Sequence, residues 1–556
     1  MSNKFWERYE KGLDYIQKKR LIDRTNKNWN FYSGKQWDGI ESGSEELPFL
    51  NFIKPTIKHK VSTVSQNNMV ANYSDAEGRE ELAEFYDKCN TLFSACWERA
   101  NEDLELWSTM KEAAVTGDGI QYFGTADVGD MQRLPNTSVF YGDESQPNIQ
   151  LQPYVIIQER LAVGKIKAIA EENGLSKEEI DQIVPDRETE HMVGNRDEVE
   201  DSSTSDESKA TCIIHLEKKD GIVHVARATK TVVFQPEKAI RVINSDGSDG
   251  RGMTLYPLLK ISWEDFPNSA RGLSEVEQLI PNQLEINKTL ARRSMIIKLT
   301  AYPRIAYDGT VIANPEDLEK VGAPIEMQSG GVQSVNQAIA YLNPAQSNSD
   351  PKNYADDLLS ISQELSGSGE TAMGNINPNR VAASAIIAIR DQAALPLNEQ
   401  VAKMKTFVED MARLWIEIWA VYNPNGLDVL VERIDEKTGE KHKVLEKITK
   451  KEIDEMRPDI RVDTSQDNPW TKEAEQNWLD NVLEKGHIQF DEYIEASPEH
   501  GIVPKNKMQA ILDERKAEQR RQMELEGNML KQTEGDAMAQ ATAAWEAQDG
   551  NSGQAM

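Results

Sequence analysis

The sequence is poor in cysteine and has no long apolar run. Its 556 residues include only Cys89, Cys96 and Cys212, an odd number that argues against a secreted disulfide scaffold and fits a reducing compartment. No apolar run approaches the roughly 20 residues of a membrane span, and the charged start MSNKFWERYEKG does not fit a signal peptide. We therefore expect a protein that is neither embedded in a membrane nor exported through a signal peptide.

Basic residues are fewer than acidic ones. Lys and Arg total 63 against 93 Asp and Glu, so the formal net charge is −30. Such a surface repels the phosphate backbone over most of its area. The composition therefore disfavours a sequence-specific DNA-binding protein.

Motifs for nucleotide, metal or catalytic chemistry are missing as well. Neither Gly34-Lys35 nor Gly164-Lys165 is followed by the hydroxyl residue of a phosphate-binding loop. No His-Glu-x-x-His occurs, and Cys89 and Cys96 fit two core positions on one helix face better than a zinc site. No Gly-x-Ser-x-Gly elbow or other catalytic spacing occurs. We expect no enzyme activity, no metal and no cofactor.

Hydrophobic spacing predicts an α+β protein that is mainly helical. Helical periods cover residues 4–30, 53–64 and 76–115, and short β-like runs follow. The β-like runs resume after an acidic segment, 186–208, whose lack of large apolar groups predicts a loose surface insertion. Lys219-Asp220-Gly221 has the chemistry of a hairpin turn.

The region after residue 272 is dominated by helices. One continuous helix is predicted over residues 273–302, with Ser274 as its N-cap and Pro303 at its end, and its length is about 40 Å. A mixed stretch over 303–349 and a second helix over 350–366 follow.

The clearest basic cluster of the chain lies on the first of these helices. Lys288, Arg292, Arg293 and Lys298 either contact phosphate or pair with carboxylates, and ordinary ion pairing between helices is the favoured interpretation.

A loop rich in Gly, Ser and Asn, 367–380, leads into the longest helical pattern, 381–422. Gly367-Ser368-Gly369 follows a helix instead of a strand, which favours a flexible loop over a phosphate site. Pro396 predicts a kink or a break in the helical pattern. The Met and Trp stripe over 401–422 predicts a core face, with a subunit interface as the alternative.

The order of several motifs resembles that of tailed-bacteriophage portal proteins, the head-to-tail connectors. Phe31-Tyr32-x-Gly34-x-Gln36-Trp37 and Asn51-x-Ile53-x-Pro55 are similar to the opening of that family. Gly272-Leu-Ser-Glu-Val, followed by Gln283-x-x-x-Asn287-Lys288, is similar to its stem. Asn377-Pro378-Asn379-x-x-Ala382-Ala383-Ser384-x-Ile386 is similar to its tunnel-loop junction. Together these motifs extend the resemblance over most of the chain.

The resemblance implies a ring subunit made of successive regions. These are an N-terminal wing part (1–272), a first stem helix (273–302), a clip (303–349), a second stem helix (350–366), a tunnel loop (367–380), a kinked tunnel helix (381–422), a wing return with a hairpin (423–480), and a helical crown with a flexible tail (481–556). It also implies that Gly367, Ser368, Gly369, Glu370, Met373, Asn375 and Asn377 line a channel.

The family's function implies the partners. We expect a dodecamer at one capsid vertex that conducts double-stranded DNA during packaging and ejection without reading its sequence. Terminase, a major capsid or scaffolding protein, and a head-tail adaptor would bind to it, in a virion component assembled in the host cytoplasm. The alternative is another virion assembly protein, of capsid or scaffolding type, without a DNA channel. An enzyme such as a nuclease ranks third.

Overall fold

The protein was analysed as a computed structural model. It describes residues 3–37, 47–75, 79, 82–186, 208–243, 249–301, 304–318, 320, 324–328, 338–342, 350–367, 395–423, 426–434, 441–449, 452, 458–466, 479–483, 485–486, 488, 490, 493, 508, 511–512 and 515. The chain divides into two compact units, Met1–Ser465 and Gln466–Met556.

Ten α-helices occur in the described residues of the first unit, and four of them are longer than fifteen residues. They are α1 (Lys4–Lys18), α2 (Leu21–Ser33), α3 (Ile53–Val64), α4 (Ala83–Ala100), α5 (Glu102–Thr116), α6 (Val163–Glu172), α7 (Lys177–Ile180), α8 (Glu275–Ala301), α9 (Asp350–Leu365) and α10 (Asn398–Tyr422).

The strands form several small sheets and one larger one. They are β1 (Asn67–Asp75), β2 (Asp118–Tyr122), β3 (Gln132–Leu134), β4 (Val139–Tyr141), β5 (Tyr154–Ala162), β6 (Lys209–Lys219), β7 (Ile222–Ala228), β8 (Gln235–Ala239), β9 (Arg241–Ile243), β10 (Asp249–Gly252), β11 (Leu258–Ser262), β12 (Arg304–Tyr307), β13 (Ile339–Leu342), β14 (Leu427–Ile434), β15 (Lys441–Ile448) and β16 (Pro458–Gln466). The sheet orders are β4-β5-β6-β7-β8, β11-β2-β3, β1-β16, β9-β10, β12-β13 and β14-β15.

The five-stranded sheet is buried on both faces. Ile156 of β5 packs with Trp6 and Tyr9 of α1, whereas its neighbours Val155 and Ile157 pack with Ile120 of the three-stranded sheet. Because successive side chains of a strand point to opposite faces, a strand covered on both sides reads as a continuous apolar run. This explains why the segment YVIIQ of β5 shows little alternation between apolar and polar residues.

The largest core surrounds α10. Met404, Val408, Met411, Trp415 and Ile418 are buried along one side of this helix. They pack in one cluster with buried residues of α3, α4, α5 and the first half of α8. The predicted core stripe over 401–422 is confirmed.

Two predicted helical blocks are each divided by a residue in the left-handed region. Arg20 (φ 50°) separates α1 from α2, and Asn101 (φ 50°) separates α4 from α5. A non-glycine residue at positive φ is uncommon, and asparagine tolerates it better than arginine. The prediction of one continuous helix over 4–30 is therefore wrong, although the region is helical on both sides of the break.

Local predictions with a defined mechanism are confirmed. Asp220 (φ 53°) and Gly221 (φ 79°) form the turn between β6 and β7, as a two-residue hairpin with both central residues at positive φ requires. The Ser274 hydroxyl accepts hydrogen bonds from the amides of Val276 at 3.1 Å and Glu277 at 3.4 Å. Ser274 is therefore the N-cap of α8.

Other predictions fall wholly or mostly outside the described residues. The acidic insertion 186–208 is described only at its two ends, Asp186 and Ser208. The second unit contains one small described cluster, in which buried Leu479 and Tyr493 pack with Leu483, Ile488, Met508 and Leu512. Most of the predicted crown, 481–556, lies outside the described residues.

Candidate functional site

The polar motif residues from distant parts of the chain meet at one buried place. We call Gln36, Asn51, Gln283 and Asn287 the amide junction. The Asn287 side-chain amide donates to the Gln36 carbonyl oxygen at 2.6 Å. Gln283 is 0% exposed; it donates to the Leu50 carbonyl at 2.6 Å and accepts from the Phe52 amide at 3.1 Å. The junction therefore ties α8 to the segment between α2 and α3.

The same junction continues into both neighbouring helices. Gln36 donates to the Phe31 carbonyl at 3.1 Å and Asn51 donates to the Tyr32 carbonyl at 3.1 Å, at the end of α2. Asn51 also accepts from the Lys54 amide at 3.2 Å, in the first turn of α3. Buried amides that bond main-chain groups on three elements hold those elements in one arrangement, because each unpaired group would cost free energy.

A second set of contacts holds the N-terminal end of α8. The Ser274 hydroxyl donates to the Val115 carbonyl at 2.6 Å. Glu275 accepts from Lys60 Nζ at 2.7 Å and from the Trp263 indole at 3.1 Å. These bonds position α8 against α3 and α5 before the helix leaves the core.

Two glycines allow this close packing. A Cβ placed on Gly117 would lie 2.5 Å from the Gly272 carbonyl oxygen, and one placed on Gly272 would lie 2.6 Å from the Gly117 oxygen. No side chain fits at either position without moving the backbone.

The predicted basic cluster lies on the part of α8 beyond the junction. Lys288, Arg292 and Lys298 are exposed and Arg293 is half-buried. Arg292 is 3.5 Å from Glu285 of the same helix. The favoured interpretation of the sequence predicts ion pairs between helices. The ion pair observed here instead forms within α8, because Glu285 lies two turns before Arg292 on the same side of the helix.

The apolar residues of this helix divide into two groups. Leu284 and Leu290 pack partly buried against the main core. Met295 and Ile297 are 47% and 53% exposed. α8 therefore has more apolar surface than its own subunit covers.

The second long helix, α9, packs beside α8. The Asn282 side chain of α8 donates to the buried Ser362 hydroxyl of α9 at 3.0 Å. Tyr354 and Ile361 of α9 are each 51% exposed. Between α8 and α9, β12 and β13 pair antiparallel, Arg304 with Leu342, so the predicted mixed stretch over 303–349 has a β pair.

Most of the predicted channel residues lie outside the described part of the chain: Ser368, Gly369, Glu370, Met373, Asn375 and Asn377. Gly367 is described, with φ 69°. A Cβ placed on it would be 3.9 Å from Pro396. Pro396 lies in the 3-10 turn Leu395–Leu397, immediately before α10. Gly367 and Pro396 therefore lie close to each other.

The described residues offer no reactive thiol or metal cluster. Burial raises the pKa of Cys89 and Cys212 to about 12, so both remain protonated thiols at neutral pH. No group of three metal-ligating side chains occurs among the described residues. None of the helices in that part of the chain combines the length and apolar character needed to cross a membrane.

Comparisons with known proteins give a distant likeness. No family model matches the chain, and no curated protein matches it. One solved structure, described as the neck of an empty GTA particle computed with C6 symmetry, is similar over 65% of this chain and 76% of that chain. The sequence identity is 11% and the TM-score is 0.30, and a TM-score this low does not establish a shared fold.

Proposed function

We propose that the chain is the subunit of a phage portal ring, through which double-stranded DNA passes without being read. The observation that carries the proposal is a pair of complementary surfaces on the two long helices. Both are partly apolar, and their charges are opposite.

The first surface, the basic stripe, consists of Lys288, Arg292 and Met295 on α8; Glu285, one turn before Lys288, lies on the same side and pairs with Arg292. These residues are spaced by four and three, so they lie on one side of the helix, and all three are exposed. An exposed methionine beside two cations is suited to a contact with another protein surface.

The second surface, the acidic stripe, consists of Tyr354, Asp357, Ile361 and Glu364 on α9. Their spacing of three, four and three again places them on one side of the helix, and all four are exposed. The two apolar members alternate with the two carboxylates.

Two different and complementary surfaces on one chain support a head-to-tail contact between copies. Such a contact closes into a ring when the rotation between neighbours divides a full turn. The basic stripe of each subunit would pack on the acidic stripe of the next, and opposite charges would set the register. The amide junction would keep α8 at a constant angle in every copy.

The net charge of −30 supports a conduit, since an acidic protein does not grip DNA. We therefore propose a passive role without enzyme activity. The proposed partners are terminase, a major capsid or scaffolding protein, and a head-tail adaptor. The proposed location is one vertex of the virion, after assembly in the host cytoplasm.

A charge-swap experiment tests the ring. Variant one carries Lys288→Glu and Arg292→Glu, and variant two carries Asp357→Lys and Glu364→Lys. Each variant alone places like charges against each other and should remain unassembled. A mixture of the two should form rings, because alternating subunits restore opposite charges at every contact, and a single chain with all four substitutions should also form them.

The readout is negative-stain imaging with native mass measurement. Twelve subunits of 62.7 kDa give about 750 kDa. Rings from both single variants, or none from the mixture and the fourfold variant, would contradict the assigned contact. Sheets or shells from the natural sequence would support a capsid or scaffolding protein, and a monomer that cleaves DNA would support an enzyme.

A further inference from the structure

A short segment before α3 lies against α8 with its main chain bound and its side chains exposed. We call Phe49 and Leu50 the apolar strap. The Gln283 side chain donates to the Leu50 carbonyl at 2.6 Å, and the Leu50 amide donates to Asn287 at 3.2 Å. Because both main-chain groups of Leu50 are bonded to α8, the strap is fixed in position on this helix.

The side chains of the strap form an exposed apolar pair. Phe49 is 52% exposed and Leu50 is 47% exposed. The Phe49 ring lies over Gly34, where an added Cβ would be 3.4 Å from it. Adjoining large apolar side chains at a surface are typical of a contact with another protein. Since their main chain is already ordered, little conformational entropy is lost when a partner covers them.

The strap adjoins the basic stripe. Asn287 bonds the strap, and the next residue, Lys288, begins the stripe and is exposed. Successive residues of a helix are about 100° apart around its axis, so the strap and the stripe lie on neighbouring sides of α8. Glu285 is 3.5 Å from Arg292, which leaves Lys288 as the cation beside the strap.

The contact between α8 and α9 shows which residues of α9 lie at the level of the strap. The strands β12 and β13 pair antiparallel between the two helices, so α8 and α9 run in opposite directions. Asn282 of α8 donates to Ser362 of α9 at 3.0 Å. Counted in opposite directions from this bond, Ile361 and Asp357 are level with the part of α8 that holds the strap. Ile361 is 51% exposed, and Asp357 is also exposed.

We infer that the apolar strap of one subunit packs on Ile361 of the next subunit, with Lys288 facing Asp357 beside it. The inference rests on the proposed ring and extends its contact to a segment outside both long helices. A rotation about the ring axis involves no shift along that axis. With α8 and α9 running along the axis, apolar surface therefore meets apolar surface and the cation meets a carboxylate.

A cysteine pair in the full-length protein, Leu50→Cys with Ile361→Cys, tests the contact. A disulfide forms only where the two Cα atoms come within about 7 Å of each other. The three native cysteines are buried. We expect rings oxidised with copper phenanthroline to give a ladder of covalent oligomers in denaturing gels without reductant. The ladder should extend beyond the dimer, because each subunit is linked to two neighbours.

Leu104→Cys with Ile361→Cys is the matched control. Leu104 is 62% exposed and lies at the start of α5. It is three turns from Val115, whose carbonyl bonds the start of α8. This pair should give no ladder. Leu50→Cys alone should give dimers at most.

A second measurement uses no cysteine. Phe49→Ser with Leu50→Ser should leave the melting temperature of the subunit almost unchanged, because both side chains are half exposed in it. It should raise the protein concentration at which half of the subunits are in rings by about tenfold or more. Mass photometry over a dilution series measures this midpoint, with Leu104→Ser as the control. This measurement decides the matter if the cysteine pair does not assemble.

The outcomes separate the strap from the ring. Imaged rings without a ladder, or an equal ladder from the control pair, would overturn the inference and leave the proposed ring standing. An unchanged midpoint in the double serine variant would do the same, and the strap would then belong to a contact with a different protein. Absence of rings from the natural sequence would overturn the proposed ring and this inference with it.

Discussion

At the scale of single residues, the most unusual group is a carboxyl buried at the start of α5. Glu102 is 0% exposed and accepts one hydrogen bond from Gln121 at 2.9 Å. Burial raises the pKa of Glu102 from 4.5 to about 8. The folded state therefore holds a proton that the unfolded chain has released at neutral pH.

This carboxyl predicts a fall in stability as the pH rises. The folded pKa lies above the unfolded one, so the stabilising effect of the proton is complete below about pH 4.5 and is lost progressively up to about pH 8. Glu102→Gln should remove that slope and stabilise the protein at pH 8.5 by on the order of 2 kcal/mol, with part of the effect offset by the helix N-terminus. Urea unfolding at several pH values measures it, with exposed Glu98→Gln as control; an unchanged slope in Glu102→Gln would contradict the assignment.

The amide junction makes a second prediction at this scale. Asn287→Ala should cost about 2–3 kcal/mol of unfolding free energy, because the buried side-chain oxygen of Gln36 and the partly buried Leu50 amide, which bonds Asn287 Oδ1 at 3.2 Å, both lose their partner. Asn353→Ala on the exposed side of α9 should change stability by less than about 0.5 kcal/mol. Equal effects of the two substitutions in chemical denaturation would show that Asn287 of the amide junction contributes no more to the unfolding free energy than an exposed asparagine does.

At the scale of elements, introducing a charge into α8 should have different effects at an exposed apolar residue and at one that packs against the core. Met295 is 47% exposed in the subunit, so Met295→Asp should leave the subunit's melting temperature almost unchanged and prevent ring formation. Leu290 packs against the subunit's own core, so Leu290→Asp should lower the melting temperature itself. Calorimetry and imaging of both variants separate the cases, and normal rings from Met295→Asp would count against the basic stripe as a contact.

Elements were predictable from the sequence where a local mechanism specified them. Ser274 indicates the start of α8, Asp220-Gly221 indicates the turn between β6 and β7, and the spacing over 401–422 indicates α10. The break at Arg20 was not, since arginine rarely adopts positive φ; the break at Asn101 was missed although asparagine is the residue after glycine that most often ends a helix in this way. The pairing of β1 with β16 joins opposite ends of the first unit, and no local pattern encodes such a partner.

The residues of the candidate site were likewise only partly predictable from the sequence. The motif residues Gln36, Asn51, Gln283 and Asn287 were identified individually through a family resemblance, but the hydrogen bonds that join Gln36, Gln283 and Asn287, and those of Asn51 to the end of α2, depend on the tertiary fold. Lys60, which donates to Glu275 at the start of α8, was missed altogether, because nothing in its local sequence indicates a partner 215 residues away.

At the scale of the whole molecule, the charge balance predicts how the protein meets DNA. With 30 more acidic than basic residues, binding to duplex DNA should be weak, insensitive to sequence and strongly reduced between about 50 and 200 mM salt. Fluorescence anisotropy with several unrelated duplexes measures this. Tight binding that persists at high salt, or a marked preference for one duplex, would be inconsistent with a passive conduit.

The closeness of Gly367 and Pro396 has a practical consequence for engineering. A Cβ placed on Gly367 would lie 3.9 Å from Pro396, so the end of α9 and the start of α10 lie beside each other. Doubling the length of a flexible inserted peptide raises the closure cost by only about 0.6 kcal/mol. We therefore expect that an epitope or a fluorophore-binding tag inserted between Gly367 and Leu395 leaves the packing of α9 and α10 unchanged.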